Sequence, residues 1–236
     1  LKELDMPRKK RTQVKKTWIF LATILIVALS LRIISLEKNN FSSDEALFSY
    51  IAKNIDGGCV VLSGYYHPAL YSYFLSFSFA FFGYAEIVAR LTSIILGLAG
   101  IITVFFIGKK LYNETVGILS ALLLAIFPMH IFMSRQVMID ILVNLIFLLM
   151  MFFLLKFHET KKSKYIYIMT ILFGLGIDTK ANIVLFVPIF LVFLFLNKKL
   201  LKALNKKNII ISILLLILFA LPEILANVGF VLLGYP

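Results

Sequence analysis

Lysine-flanked apolar runs, most of them close to 20 residues long, recur down this chain and leave little choice of architecture. An α-helix rises about 1.5 Å per residue, so about 20 residues cross the hydrocarbon core of a bilayer. Inside lipid a backbone must satisfy its own N–H and C=O groups, and a helix does so within one segment. The runs fall at about 17–36, 88–108, 115–133, 137–156, 165–179, 181–197 and 208–226. Of the 236 residues 61% are hydrophobic, against about half in ordinary globular domains. The reading is an all-α integral membrane protein with about seven transmembrane helices.

Charge sets the expected orientation. Eighteen of the 24 Lys and Arg residues lie before Thr17, at Lys109-Lys110, between Lys156 and Lys164, and between Lys198 and Lys207. Basic residues in short loops mark the cytoplasmic side, so the N-terminus is placed inside. Only Glu3, Asp5, Glu114 and Glu159 among the 12 acids share that side. This distribution accounts for most of the +12 net charge. No basic stripe with interleaved solvent-facing aromatics appears, so nucleic acid is not expected as a partner. The organisation is a basic cytoplasmic segment at 1–16 and one transmembrane module at 17–236, multi-pass and in the plasma membrane if the source is prokaryotic.

The first run is too long for a cleaved signal peptide and reads as a signal anchor. Cys59 is the single cysteine, which excludes an intrachain disulfide and a cysteine metal cage. A chain that opens on Leu1 and stops on Tyr235-Pro236 just past an apolar run leaves open that it is a fragment.

One segment needs arbitration. His67 to Gly83 is apolar, yet counting it as a span would invert every later loop and put lysines on the wrong face. It is also short and carries several Ser and Tyr. The expectation is an interfacial helix on the outer surface, tyrosines at headgroup level. The outer loop at 37–87 holds a second helix, opened by the capping box Ser42-x-x-Glu45 and running to about Asn54. Leu47, Ile51 and Ile55, with Phe48 and Ala52 alongside, form its apolar face, and Gly57-Gly58 breaks it.

With this threading, Asp44-Glu45, Glu86 with Arg90, Arg135 with Asp140, and Asp178 with Lys180 all gather on the outer side. Ions at a bilayer edge are costly, so a one-sided collection of both signs suggests a polar site. Each has a plainer explanation. Acids in a first helical turn favour the dipole, Glu86 and Arg90 are an i, i+4 pair, and Arg135 can extend its head group to water. Asp140 sits one turn into an apolar helix and calls for a partner or ligand. His67 precedes a proline suited to a first helical turn, and could equally donate to a phosphate oxygen or ligate a metal. Lys180 is a point charge suited to a lipid phosphate. Gly174 and Gly176 admit close helix approach. His130 and His158 are weak candidates.

Several of these stretches together resemble the N-terminal module of the GT-C glycosyltransferases, nearest the protein O-mannosyltransferase and aminoarabinose-transferase-like branch, glycosyltransferase family 39 with the RgtA/B/C/D-like group. The matching residues are Asp44-Glu45 with Ala46 to Ala52, Tyr66-His67-Pro68-Ala69-Leu70-Tyr71, Phe82-Gly83 and Ala89-Arg90-Leu91. They continue through Gly108 to Tyr112, Ser134-Arg135 with Asp140, and Gly174 to Lys180. Order and spacing agree over about 15–225. The family's usual His-Pro-Pro is His-Pro-Ala here, and its longer members carry further spans.

The resemblance implies a sugar transferred from a polyprenyl (dolichyl) phosphate carrier to an acceptor protein, lipid or glycan on the outer face. By the same resemblance Asp44 and Glu45 are the catalytic acidic pair, His67, Arg135 and Lys180 bind the donor phosphate, and Asp140 and Arg90 support them. No cofactor is certain; a divalent metal, if any, would fall to Asp44, His67 or Asp140. Two other classes stay open. A truncated, non-catalytic subunit would bind lipid or a partner enzyme, and a secondary transporter or lipid flippase would want ionisable groups near mid-span.

Overall fold

The computed structural model describes residues 8–34, 36, 40–55, 70–201 and 204–232. Gly57-Gly58, Cys59 and the Tyr66-His67-Pro68-Ala69 stretch lie outside them. Among the described residues the chain is all helical, with no strand. The elements are α1 (Arg8–Ile33), α2 (Ser43–Asn54), α3 (Leu70–Phe82), α4 (Glu86–Leu111), α5 (Glu114–Ile126) and α6 (Pro128–Arg135). They continue with α7 (Ile139–Thr160), α8 (Lys164–Ile177), a 3₁₀ turn (Ala181–Leu185), α9 (Phe186–Leu196), α10 (Lys198–Leu201) and α11 (Lys206–Leu232).

Among the described residues three helices are long and apolar enough to cross a membrane: Lys15–Ile33, Glu86–Leu111 and Ile139–Thr160. The pair Glu114–Ile126 and Pro128–Arg135 makes a fourth if read as one bent span. The structure therefore supports a multi-pass helical protein with three to four such helices among the described residues, fewer than the seven expected. The run at 115–133 is not one straight helix but bends by 60°. Pro128 supplies the cause, since it has no N–H to donate and its ring clashes with the preceding turn. Phe127 before it is extended, at φ −64° and ψ 117°, and Pro128 then opens α6 where a proline is tolerated. The runs at 165–179 and 181–197 give helices of 14 and 11 residues, the second entered through the 3₁₀ turn.

Hydrogen bonds identify the two ends of the bundle. Thr17 Oγ1 donates to Glu114 Oε2 at 2.6 Å and Lys109 Nζ to Glu114 Oε1 at 2.7 Å, while Lys110 pairs with Glu159. These contacts gather Thr17 at the head of the apolar part of α1, the end of α4, the start of α5 and the end of α7. At the opposite end Arg135 donates to Ile34 O, Lys180 to Asp140, and the N–H of Leu70 to Asp178 O. The polar groups singled out in the sequence from Asp44 to Lys180, His67 apart, thus share the end away from these lysines.

Between the ends lies apolar packing. One buried cluster joins Phe48, Tyr71, Leu75, Leu142, Met150 and Ile183. Another joins Leu21, Ile24 and Ala28 of α1 to Ile101, Phe105 and Ala121. At 13 residues, about 20 Å by helical rise, α3 is too short to cross a bilayer, in keeping with a helix that does not span.

Candidate functional site

The capping box that opens α2 forms as read. Ser42 Oγ accepts the N–H of Glu45 at 3.4 Å, and Glu45 Oε2 accepts the N–H of Ser42 at 3.0 Å. Its buried face keeps Phe48 and Ala52 of the expected one but is turned away from Leu47. Glu45, Phe48, Ser49 and Ala52 point inward, whereas Leu47 is exposed. The reason is Glu45 itself, whose bonds to the bundle turn the helix so that residues at i+3, i+4 and i+7 from it face the core.

Glu45 is 2% exposed and receives a fork of bonds from Arg90: Nε to Oε1 at 3.0 Å and a terminal nitrogen to Oε2 at 3.2 Å. The N–H of Val137, in the turn between α6 and α7, donates to Oε1 at 3.1 Å. One carboxylate therefore binds α2, α4 and the α6–α7 turn together. Arg90 is turned inward, 4% exposed, and gives a further bond to Leu36 O at 2.6 Å. The i, i+4 pairing with Glu86 drawn from the sequence is replaced by this long-range pair, and Glu86 stays exposed. Burial pushes the Glu45 carboxyl up, but the bonds from Arg90, Ser42 and Val137 outweigh it and hold the group below the usual carboxylate range.

Asp44 has the opposite surroundings. It is exposed and makes no hydrogen bond or ion pair with any described residue. Of the two neighbouring acids, then, one is spent on structure and one is available.

Beside this knot lies a cavity of about 590 Å³ lined by Ser42, Glu45, Arg90, Arg135 and Gln136 among others. Three of Arg90's five N–H groups are used by Glu45 and Leu36. Arg135 donates to Ile34 O at 2.8 Å and reaches the same cavity. The result is a pocket with two guanidinium groups at its wall, suited to an oxyanion.

Lys180 and Asp140 form a separate pair. Lys180 Nζ lies 2.6 Å from Asp140 Oδ1, with both side chains partly exposed. The partner that Asp140 required is thus Lys180, brought across from the turn after α8. Gly176 makes that turn possible, because a Cβ there would lie 2.5 Å from Ile183 Cγ1. Asp140 lines a second, mostly apolar cavity of about 380 Å³ with His130 and Asn144. The expected phosphate ligands are therefore divided: Arg135 lies in the arginine pocket, Lys180 with Asp140, and His67 outside the described residues. No three His, Cys, Asp or Glu side chains cluster as metal ligands among the described residues.

One residue was not singled out in the sequence. It is Arg32, which is fully buried. Its Nε donates to Ser134 Oγ at 2.8 Å, and its terminal nitrogens to Ala28 O, Ala125 O and His130 Nδ1 at 2.9, 3.1 and 2.8 Å. A cation near the end of an apolar run reads as an interfacial flank. Only the bend at Phe127-Pro128, which frees Ala125 O, shows where this one goes.

A search of curated proteins finds no match for the chain. The family model described as dolichyl-phosphate-mannose-protein mannosyltransferase matches residues 66–225. Arg90, Arg135, Asp140 and Lys180 lie inside that match, and Asp44-Glu45 just before it, tied to it through Arg90. On this match over more than half its length, the chain belongs to the dolichyl-phosphate-mannose-protein mannosyltransferase family, a family of mannosyltransferase-like membrane glycosyltransferases.

Proposed function

We propose that this chain moves a hexose or pentose from a polyprenyl (dolichyl) phosphate to a hydroxyl acceptor at the outer membrane surface. The observation that carries the reading is the pocket that Arg90 and Arg135 both line, with Ser42 and Glu45, in a chain of this family. The carrier phosphate sits against the two guanidinium groups, and its isoprenoid tail stays in lipid. Lys180, paired with Asp140, adds positive charge to that end of the bundle.

Transfer forms a bond from the acceptor oxygen to the anomeric carbon and breaks the bond from that carbon to the phosphate oxygen. The electron pair leaves with the lipid phosphate, and the arginines stabilise the charge as it builds there. The acceptor's proton goes to Asp44, the exposed acid in the first turn of the helix whose Ser42 and Glu45 wall the pocket. Glu45 holds Arg90 in place rather than taking the proton, since its oxygens already accept four bonds.

The test is purified full chain in nanodiscs with a panel of polyprenyl-phosphate sugars, following release of the lipid phosphate. Asp44→Asn is expected to lower turnover ~10²-fold or more, the scale of a lost general base, with no change in melting temperature. Unchanged turnover in that variant, or no release with any donor by the native chain, removes the reading.

A further inference from the structure

Arg32 is a buried cation with no carboxylate among its described partners, and burying such a charge is expensive. What compensates it is backbone geometry. Ala125 O belongs to the last turn of α5, where carbonyls have no helical partner and the helix dipole is negative, and Ala28 O lies one turn before Arg32 on α1. The bend after Ile126 leaves Ala125 O without the N–H that a continuous helix would have supplied.

The other two partners lie one turn apart on α6. Arginine has donors only, so His130 Nδ1 must accept, and the imidazole is neutral with its proton on Nε2. Ser134 Oγ accepts from Arg32 Nε and donates its own O–H to His130 O at 2.7 Å. From behind, Gly97 of α4 lets α6 come close, since a Cβ there would stand 2.7 Å from Ser134 Cβ. Arg135 follows Ser134 directly and bonds Ile34 O, two residues past Arg32.

We infer that Arg32 is a positioning residue for the arginine pocket. By bonding the end of α5 and two side chains of α6 at once, it fixes the bend between them and so sets Arg135 at the wall of the cavity that Arg90 also lines. This rests on the reading of that pocket as the donor-phosphate site, although the positional part stands without it. Arg32 touches no reacting atom. A lysine in its place keeps the charge but not the planar fork that spans three directions.

The experiment has two arms on the full chain in nanodiscs. Hydrogen exchange compares the native chain with Arg32→Met and Arg32→Lys. Faster exchange is expected over 128–136 in both, larger in Arg32→Met, with α7 unchanged. The second arm measures binding of undecaprenyl phosphate to the native chain, Arg32→Met, Arg135→Met and the double variant. Arg32→Met is expected to weaken binding ~10-fold in the native background and hardly at all beside Arg135→Met, the non-additivity of residues acting through one another. A merely structural arginine would give equal losses in both backgrounds.

If Arg32→Met does not fold, Ser134→Ala removes one hold and is expected to give the same pattern at smaller size. Unchanged exchange over 128–136 in the folded variants, or additive binding losses, overturns the proposal. Altered exchange together with native binding in Arg135→Met upholds the positional role and removes the donor-site reading instead.

Discussion

The two ends of the bundle carry the same kinds of ion and use them differently. At the lysine end, Lys109 and Glu114 pair at 2.7 Å with side chains 35% and 27% exposed, and Lys110 meets the half-exposed Glu159. Water and salt screen such pairs, and their worth is small. At the cavity end Arg90 and Glu45 pair at 5% and 3% exposure, and Arg32 is fully enclosed. A buried ion tolerates only the arrangement that satisfies every donor and acceptor. Charge at the lysine end can therefore vary in place as long as it stays basic, whereas the enclosed charges of the cavity end, unlike its half-exposed Lys180–Asp140 pair, specify a shape.

The sharpest way to break this contrast is to unmake the buried pair. Glu45→Ala leaves Arg90 enclosed without its counter-ion and is expected to cost ~3–5 kcal/mol, read as a large fall in melting temperature in detergent. The double variant Glu45→Met with Arg90→Leu should recover much of that loss, because it removes both charges. Acid probes the same bond. Glu45 is held below its ordinary value of 4.5, so its contribution is full above that pH and fades as pH falls through its lower folded-state value. Glu45→Gln should abolish this acid-side slope. If Glu45→Ala melts with the native chain, the distinction between the two ends fails.

The contrast also marks what could be read from residues alone. The capping box at Ser42 and Glu45 was legible because it is a local pattern at fixed spacing. So were the shared end of the polar groups, from lysine placement, and the need of Asp140 for a partner. Pairings between distant elements were not. Arg90 stands four residues from Glu86, and nothing local reveals that Glu45 binds it from 45 positions away. Arg32 belongs to no local pattern, because its partners on α5 and α6 come together only once Pro128 bends the chain. The apolar face of α2 was legible at Phe48 and Ala52 but not at Leu47, since an ion pair decides which side turns in.

A second substitution sharpens the comparison at the point where α4 meets α6. Gly97→Ala puts a methyl 2.7 Å from Ser134 Cβ, an atom attached directly to the α6 backbone. Overpacking of this kind costs ~1–3 kcal/mol. The loss should appear with faster exchange over 128–136 and weaker lipid-phosphate binding, while the pairs at the lysine end keep their native behaviour. Equal loosening at both ends would mean that the bend is not a separate unit.

The smallest effect belongs to the lysine end. Lys109→Ala is expected to change stability by ~0.2–1 kcal/mol, and a double-mutant cycle with Glu114→Ala should give a coupling in that range. Ionic strength then separates the two ends more cleanly than size does. At about 1 M salt the screening length shrinks to about 3 Å, so the coupling between the partly exposed Lys109 and Glu114 should all but vanish. The Glu45–Arg90 coupling, shut away from counter-ions, should hold its value across the same titration. A salt response shared by both pairs would show that the cavity end is as wet as the other. Enclosure would then no longer explain why its charges have fixed partners.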